Sequence, residues 1–222
     1  MSKLELIGHT ASNFVWTCRI AIAEKGLPHS LAGTLPHTPD VDAIHPFGKI
    51  PVLRHGTVTL AESRAICCYI DRAFDGPPLI PDDPAKAAEI EQWISIVNTH
   101  IDVVWLRQYF GAYVFPRTAD GSPDRVVIDA ALPKMQQQFP VMDRAVASGY
   151  LAGGTFTLAD MYFVPILYYM QHPPESAQLL AAHGSLTAYL DRHLTRPSVQ
   201  TSLPPPLPGQ AAETRADGAK AA

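Results

Sequence analysis

Two clusters of chain breakers, Asp75-Gly76-Pro77-Pro78 and Pro81-Asp82-Asp83-Pro84, constrain the fold of this chain more than any other feature. A proline locks its own φ, carries no N–H, and biases the residue before it away from helix. Neither a helix nor a central strand continues through such a run. With 222 residues the chain lies between one domain and two, on a prior of about 150 residues per domain. Residues 77–84 therefore read as a linker between a unit spanning 1–76 and a second spanning 85–202.

The unit before the break is mixed. Residues 4–7 alternate and meet Gly8, as a short strand does. Residues 15–25 carry apolar side chains at helical spacing and end at Gly26, a C-cap residue, with Ser12 and Asn13 in front as candidate N-caps. Residues 29–35 form a weaker second strand, and 36–44, with two prolines and two aspartates, a loop or short irregular helix. Residues 52–55 and 57–60 flank Gly56 as a tight hairpin, and 62–74 are helical by pattern. The order β-α-β-(α)-β-β-α predicts a mixed sheet with helices on its faces.

Everything after the break reads as helix. Ile90, Trp93, Ile94, Val97, Ile101, Val104 and Trp105 share one broad face of a helix running from Ala85 to about Val114. A second helix covers 124–147, with Pro123 suited to its first turn and Pro133 and Pro140 expected as kinks or early stops. Thr157-Leu158-Ala159-Asp160 resembles a capping box, with Asp in the Glu/Gln place, opening an apolar helix through Met170. Residues 179–194 supply one or two more helices, and the tail 203–222, prolines followed by small and charged residues, is expected to be disordered. The fold class expected is α/β followed by all-α.

Hydrophobic content of 47% against 17% charged residues is ample for a core. A net charge of −4 argues against a nucleic-acid surface. No apolar run reaches the roughly 18 residues of a membrane span, and MSKLELIGHT lacks the apolar centre of a secretory signal. Cys18, Cys67 and Cys68 are odd in number and contain no CxxC, which fits a reducing compartment and neither a disulfide framework nor a zinc site. A cytoplasmic protein is expected, with no nucleic-acid or membrane partner and no metal.

The stretch PFGKIPVLRHGTVTLAESRAICCYI, residues 46–70, concentrates the candidate chemistry. A cis bond before Pro51 would turn the Ile50 backbone outward to pair with an extended peptide, although only about 5–6% of X-Pro bonds are cis. Glu62-Ser63 at a helix start suits an amine and a carboxylate, and equally suits ordinary capping. Ser12, also at a helix start, offers a hydroxyl and a positive helix end to a thiolate, yet an N-cap is the commoner role of such a serine. A free thiol titrates near pH ~8.5, and one charge-assisted hydrogen bond suffices to make a substantial thiolate fraction at neutral pH. Lys49 and His37 are cationic candidates in loops; the three cysteines fall within helical patterns, where inert thiols are the commoner case. Trp105, Tyr109, Phe110 and Tyr113 bunch at the end of the long helix, as core or as the wall of an apolar pocket.

Taken in order, SNFVWTCRIAIAEKG, HPFGKIPVL and LAESRAICCYI, then a proline-rich linker and a helical half, resemble the cytosolic glutathione S-transferases over about residues 4–200. The likeness is to the serine-type classes (phi, tau, theta and zeta), phi most of all. It implies a thioredoxin-like domain with a mixed four-stranded sheet that binds glutathione, followed by an all-helical domain that shapes the electrophile pocket. It implies Ser12, fourteen residues before Gly26, as the catalytic hydroxyl and glutathione as co-substrate. Glutathione would be held by His37, Lys49, Ile50, Pro51, Glu62 and Ser63, and the electrophile by Phe14, Trp105, Tyr109, Phe110 and Tyr113. Phe47 corresponds to a loop aromatic that keys a homodimer in several classes. One departure is His45-Pro46, where the family usually has Asn-Pro; another is Ser12-Asn13-Phe14, where zeta-class isomerases carry Ser-Ser-Cys. The resemblance implies conjugation of small apolar electrophiles in detoxification. Dehalogenase, peroxidase or isomerase activity on the same scaffold, or a non-catalytic glutathione-binding role, are the alternatives.

Overall fold

A computed structural model describes residues 3–206. The first half runs β1 (Leu4–Ile7), α1 (Asn13–Glu24), β2 (His29–Ala32), α2 (Pro39–Asp42), β3 (Val52–His55), β4 (Val58–Ala61) and α3 (Ser63–Ala73). The sheet order is β2-β1-β3-β4, with β1 parallel to β2 and antiparallel to β3, and β3 antiparallel to β4. One face buries Leu4, Leu6 and Leu53 with Val15, Ile20 and Ile22 of α1 and Ile66 and Ile70 of α3. The other holds a smaller cluster of Ile7 and Val52 against Val41 of α2.

The helical half comprises α4 (Pro84–Ile96), a π-helical stretch (Val97–Phe110), α5 (Gly111–Val114), α6 (Arg125–Ala145), α7 (Leu158–Tyr169), α8 (Pro174–Ala181), α9 (Gly184–Leu194) and α10 (Pro197–Gln200). The long helix expected from Ala85 to about Val114 is thus continuous, but its second part winds in wider turns. Such stretches are rare and change which side chains share a face. Pro133 and Pro140 neither stop nor shorten α6. Burial of Ile128, Ala131, Met135, Phe139 and Met142 along one stripe outweighs the backbone cost of the two prolines. Of the tail expected from Leu203, residues 203–206 carry no helix or strand, and 207–222 lie outside the described residues.

The two halves meet on α7, which is buried on almost every side, as a central helix should be. On α1, Thr17 Oγ1 donates to the Met161 carbonyl of α7 at 3.0 Å, and Trp16 Nε1 donates to Ser202 Oγ at 2.9 Å. Arg196 grips Glu24 with Nε and Nη2, both at 2.6 Å. The connecting segment is tied down as well. Asp71 accepts from the N–H groups of Leu79 and Ile80 at 2.8 and 3.3 Å, and Leu158 N–H donates to the Leu79 carbonyl at 2.9 Å.

At the head of α7 sits Asp160, whose carboxylate accepts from Leu151 N–H, Thr157 N–H and Tyr189 O–H at 2.8, 2.8 and 2.9 Å. Burial pushes its carboxyl up and these donors pull it back, with a net rise. Removing the acceptor strands buried donors from three segments at once. Asp160→Ala should therefore lose about 3 kcal/mol or more of stability, read as a lowered midpoint in urea unfolding.

Candidate active site

The α1 helix begins where the strand-β1 loop ends, and its N-cap is Ser12, whose backbone is extended and whose Oγ accepts from Val15 N–H at 3.4 Å. A hydroxyl has one proton and two lone pairs. The capping bond uses a lone pair, which leaves the Ser12 proton to donate to a ligand. The two roles read from the sequence are compatible in one side chain. Ser12 is half-buried, and its neighbourhood is held from the helical half, since Tyr169 O–H donates to the Ala11 carbonyl at 2.7 Å.

The Ile50–Pro51 bond is cis. Among the described residues, the Ile50 N–H and C=O have no backbone partner, so an extended edge is open there for strand-like pairing. Gly48 in the same loop has φ +60, and a Cβ on it would come within 2.3 Å of the His37 ring. That close approach is what brings His37, itself at φ +59, to the loop, with its N–H donating to the Gly48 carbonyl at 2.8 Å. Lys49 is exposed beside it.

Across from the loop, α3 starts at Ser63, which is buried and accepts at Oγ from Tyr162 O–H at 2.9 Å. Burial drives the Tyr162 phenol well above its ordinary value, so it stays a donor. The Ser63 proton, like that of Ser12, is left for a ligand. Glu62 precedes it at φ +70, and its Oε1 lies 3.2 Å from Nε2 of His45. Thus Ser12, Ile50-Pro51, Glu62-Ser63, Lys49 and His37 are all carried by the loops and helix starts at one end of the sheet.

The aromatic set expected at the pocket divides. Trp105 is fully buried, stacked on Phe139 at 4.2 Å, with its indole donating to Gln138 at 2.9 Å. Tyr109 is fully buried too and donates to Glu175 at 2.9 Å; Tyr113 donates to the same carboxylate at 2.5 Å. Desolvation pushes the Glu175 carboxyl up, but these donors and Arg125 hold it at about 2. Trp105, Tyr109 and Tyr113 step four residues apart and line the side toward α6 and α8. Trp105 and Tyr109 are therefore core, not pocket wall, and Tyr113 serves a polar network. Phe110 lies off that line, half-buried against Tyr169 at 5.0 Å. Phe14 is half-buried, edge-on to Tyr162 at 6.2 Å.

Pattern reasoning missed three residues beside Ser12. Asn13 is buried and donates to Asp102 at 2.9 Å, while Arg107 reaches Asp102 through Nε at 2.8 Å and Asn13 Oδ1 through Nη2 at 2.9 Å. The Arg107 guanidinium also lies over the Phe14 ring at 5.1 Å. Asp102 was invisible because an acidic residue within an apolar helical face reads as a solvated interruption. Its carboxyl is pushed up by burial and pulled back by Arg107 and Asn13, with a net rise.

The thiols stay out of this arrangement. Burial and the neighbouring Cys67 sulfur, 3.9 Å away, push the Cys18 thiol well above its ordinary value, the opposite of what a nucleophile needs. A cleft of about 690 Å³ lies elsewhere, between α3, the connecting segment and α4; Cys67 and Cys68 line it, and Ser12, Ile50, Glu62 and Ser63 do not. Its charges are largely paired with each other, Lys25 with Asp71 and Arg64 with Glu91.

Residues 6–78 match the family described as Glutathione S-transferase, N-terminal domain, and residues 93–197 its C-terminal domain. A "Glutathione S-transferase 3" of Zea mays is 31% identical over 219 residues, covering 93% of this chain and 98% of that one. The chain belongs to the glutathione S-transferase family. Glutathione transferase F7 from Populus trichocarpa superposes with a TM-score of 0.80 at 28% identity, over 90% of this chain and 97% of that one. Glutathione S-transferase-I, solved with lactoylglutathione, gives a TM-score of 0.78 at 27% identity, over 90% and 98%. The expected family and fold class hold over both halves of the molecule.

Arg107 leaves a buried carboxylate without its cation when it is removed. Arg107→Leu should cost about 2 kcal/mol, since its own side chain is partly solvated, and pairing it with Asp102→Leu should recover part of that loss. Denaturant unfolding of both singles and the double, arranged as a cycle, measures the coupling.

Proposed function

We propose that this protein is a glutathione transferase that stabilises the glutathione thiolate with Ser12 and directs it at a small apolar electrophile. The observation that carries this reading is the Ser12 hydroxyl at the positive end of α1, capped from Val15 and with its proton free. Donation of that proton, together with the helix-end field, favours the anion over the thiol. The thiolate attacks an electrophilic carbon; the C–S bond forms as the leaving group departs with its electron pair, or as an activated double bond takes up the pair and then a proton.

Glutathione would lie extended along Ile50, pairing through the backbone made available by the cis Pro51. Its γ-glutamyl carboxylate meets Ser63 and its ammonium Glu62; Lys49 and His37 face the glycine carboxylate. The bound electrophile touches Phe14 and Phe110, with Arg107 at the rim. A metal has no part in this chemistry. The role is detoxification in the cytoplasm; among the described residues no helix is long and apolar enough to cross a membrane, and the cysteines are unpaired. Domain limits of 1–76, 77–84 and 85–202 follow the breakers.

The working unit is a homodimer keyed by Phe47, a large aromatic that is 72% exposed on the cis-proline loop, which is where an unpartnered apolar side chain signals an interface.

Ser12→Ala should lower kcat/KM for glutathione about 100-fold near neutral pH, and move the rising limb of the pH profile toward the free thiol near pH ~8.5. Full conjugating activity in that variant from about pH 6 to about pH 8 would remove Ser12 from the mechanism. A screen over halides, peroxides, isothiocyanates and epoxides separates conjugation from the dehalogenase, peroxidase and isomerase activities. Phe47→Asp should shift the molecule toward monomer in sedimentation or size-exclusion measurements, without changing its circular dichroism.

A further inference from the structure

His45 is buried, its side chain only 3% exposed. Nδ1 accepts from the Phe47 N–H at 3.0 Å, so that nitrogen carries no proton in this arrangement. The ring proton is thereby left to Nε2, which lies 3.2 Å from Glu62 Oε1. The backbone of His45 is also committed: its N–H donates to the Val41 carbonyl at 2.8 Å and its carbonyl accepts from Gly48 N–H at 3.0 Å. Both faces of the imidazole are thus fixed by the end of α2 and by the turn that leads to the cis proline.

The carboxylate beside Nε2 is held by little else. The Glu62 side chain is 73% exposed, and among the described residues His45 is the one side chain within bonding distance of its carboxylate. Glu62 also occupies φ +70, a left-handed conformation that non-glycine residues rarely adopt. A long exposed glutamate ordinarily samples many rotamers, and a ligand that needs one of them must first order it. A donor anchored in the core removes that cost before the ligand arrives.

We propose that His45 is a positioning residue for the γ-glutamyl end of the co-substrate: it aims the Glu62 carboxylate at the ligand's primary ammonium, and through Phe47 N–H it ties that carboxylate to the cis-proline loop. This inference rests on the glutathione reading above. It assigns His45 no contact with the ligand and no part in the thiol chemistry. The consequence is selective, because only a thiol that carries the γ-glutamyl group uses Glu62.

The test compares glutathione with cysteinylglycine, the same thiol without the γ-glutamyl group, against one electrophile. His45→Phe keeps a buried ring and loses the Phe47 hydrogen bond and the Glu62 contact. It should raise KM for glutathione about tenfold with kcat within about twofold, and leave kcat/KM for cysteinylglycine within about twofold. His45→Gln, whose amide both donates and accepts, should recover most of the loss. Glu62→Ala should lose as much as the double variant His45→Phe/Glu62→Ala. The ratio of the two kcat/KM values does not depend on how much of a preparation is folded. Where His45→Phe fails to fold, His45→Asn, too short to reach Glu62, should lower the same ratio. An unchanged ratio, or equal losses with both thiols, overturns the positioning role while the transferase reading stands. A wild-type protein that neither binds nor turns over glutathione overturns both.

Discussion

A single buried carboxylate conditions much of the structure. Asp160 gathers donors from the segment before α7, from the first turn of α7 and from α9, and so fixes where the central helix begins. Several contacts between the two halves are set from that point. Thr17 meets the carbonyl of Met161, one residue on, and Tyr162, the next, reaches Ser63. About two turns along, Tyr169 holds the carbonyl just before Ser12. One helix, correctly started, delivers a hydroxyl to each of the two serines' neighbourhoods.

The site itself is built from polar groups that the protein satisfies only in part. Ser12 and Ser63 each accept a hydrogen bond from the protein and keep a proton to give. Ile50 keeps its backbone groups unpaired beside a cis proline. A fully satisfied set of the same residues would be more stable and would bind nothing. Such residual donors would suit a ligand with a soft anion in the middle and carboxylates at its ends, as glutathione has.

Local rules made much of this legible. The Gly26 stop, the Gly56 hairpin and the Thr157–Asp160 start have short-range causes, and they emerged within a few residues of their positions. What escaped depended on longer range. Pro133 and Pro140 were expected as kinks or early stops, and α6 runs on through both over a buried stripe. Trp105 and Tyr109 have the composition of a pocket wall, and only the direction of their shared face sends them into the core. Asp102 and Arg107 lie 89 and 94 residues from Asn13, a pairing that no window on the sequence contains. His45 was visible only as a departure from Asn-Pro; its use lay in what surrounded it.

The wide turns between Val97 and Phe110 carry a further consequence for how such a protein diversifies. A helix that already holds surplus residue per turn tolerates a one-residue deletion by reverting locally to ordinary winding. The turns beyond the deletion then keep their facing, while side chains inside the stretch shift by about 100° and trade places. Arg107, Phe110 and Tyr113 all lie on or past this stretch. A lineage can thus exchange the residues on one face of this stretch by a single codon loss, while the sheet, the cis proline and the start of α7 stay where they are. The stretch is a hinge in sequence space and not in the molecule.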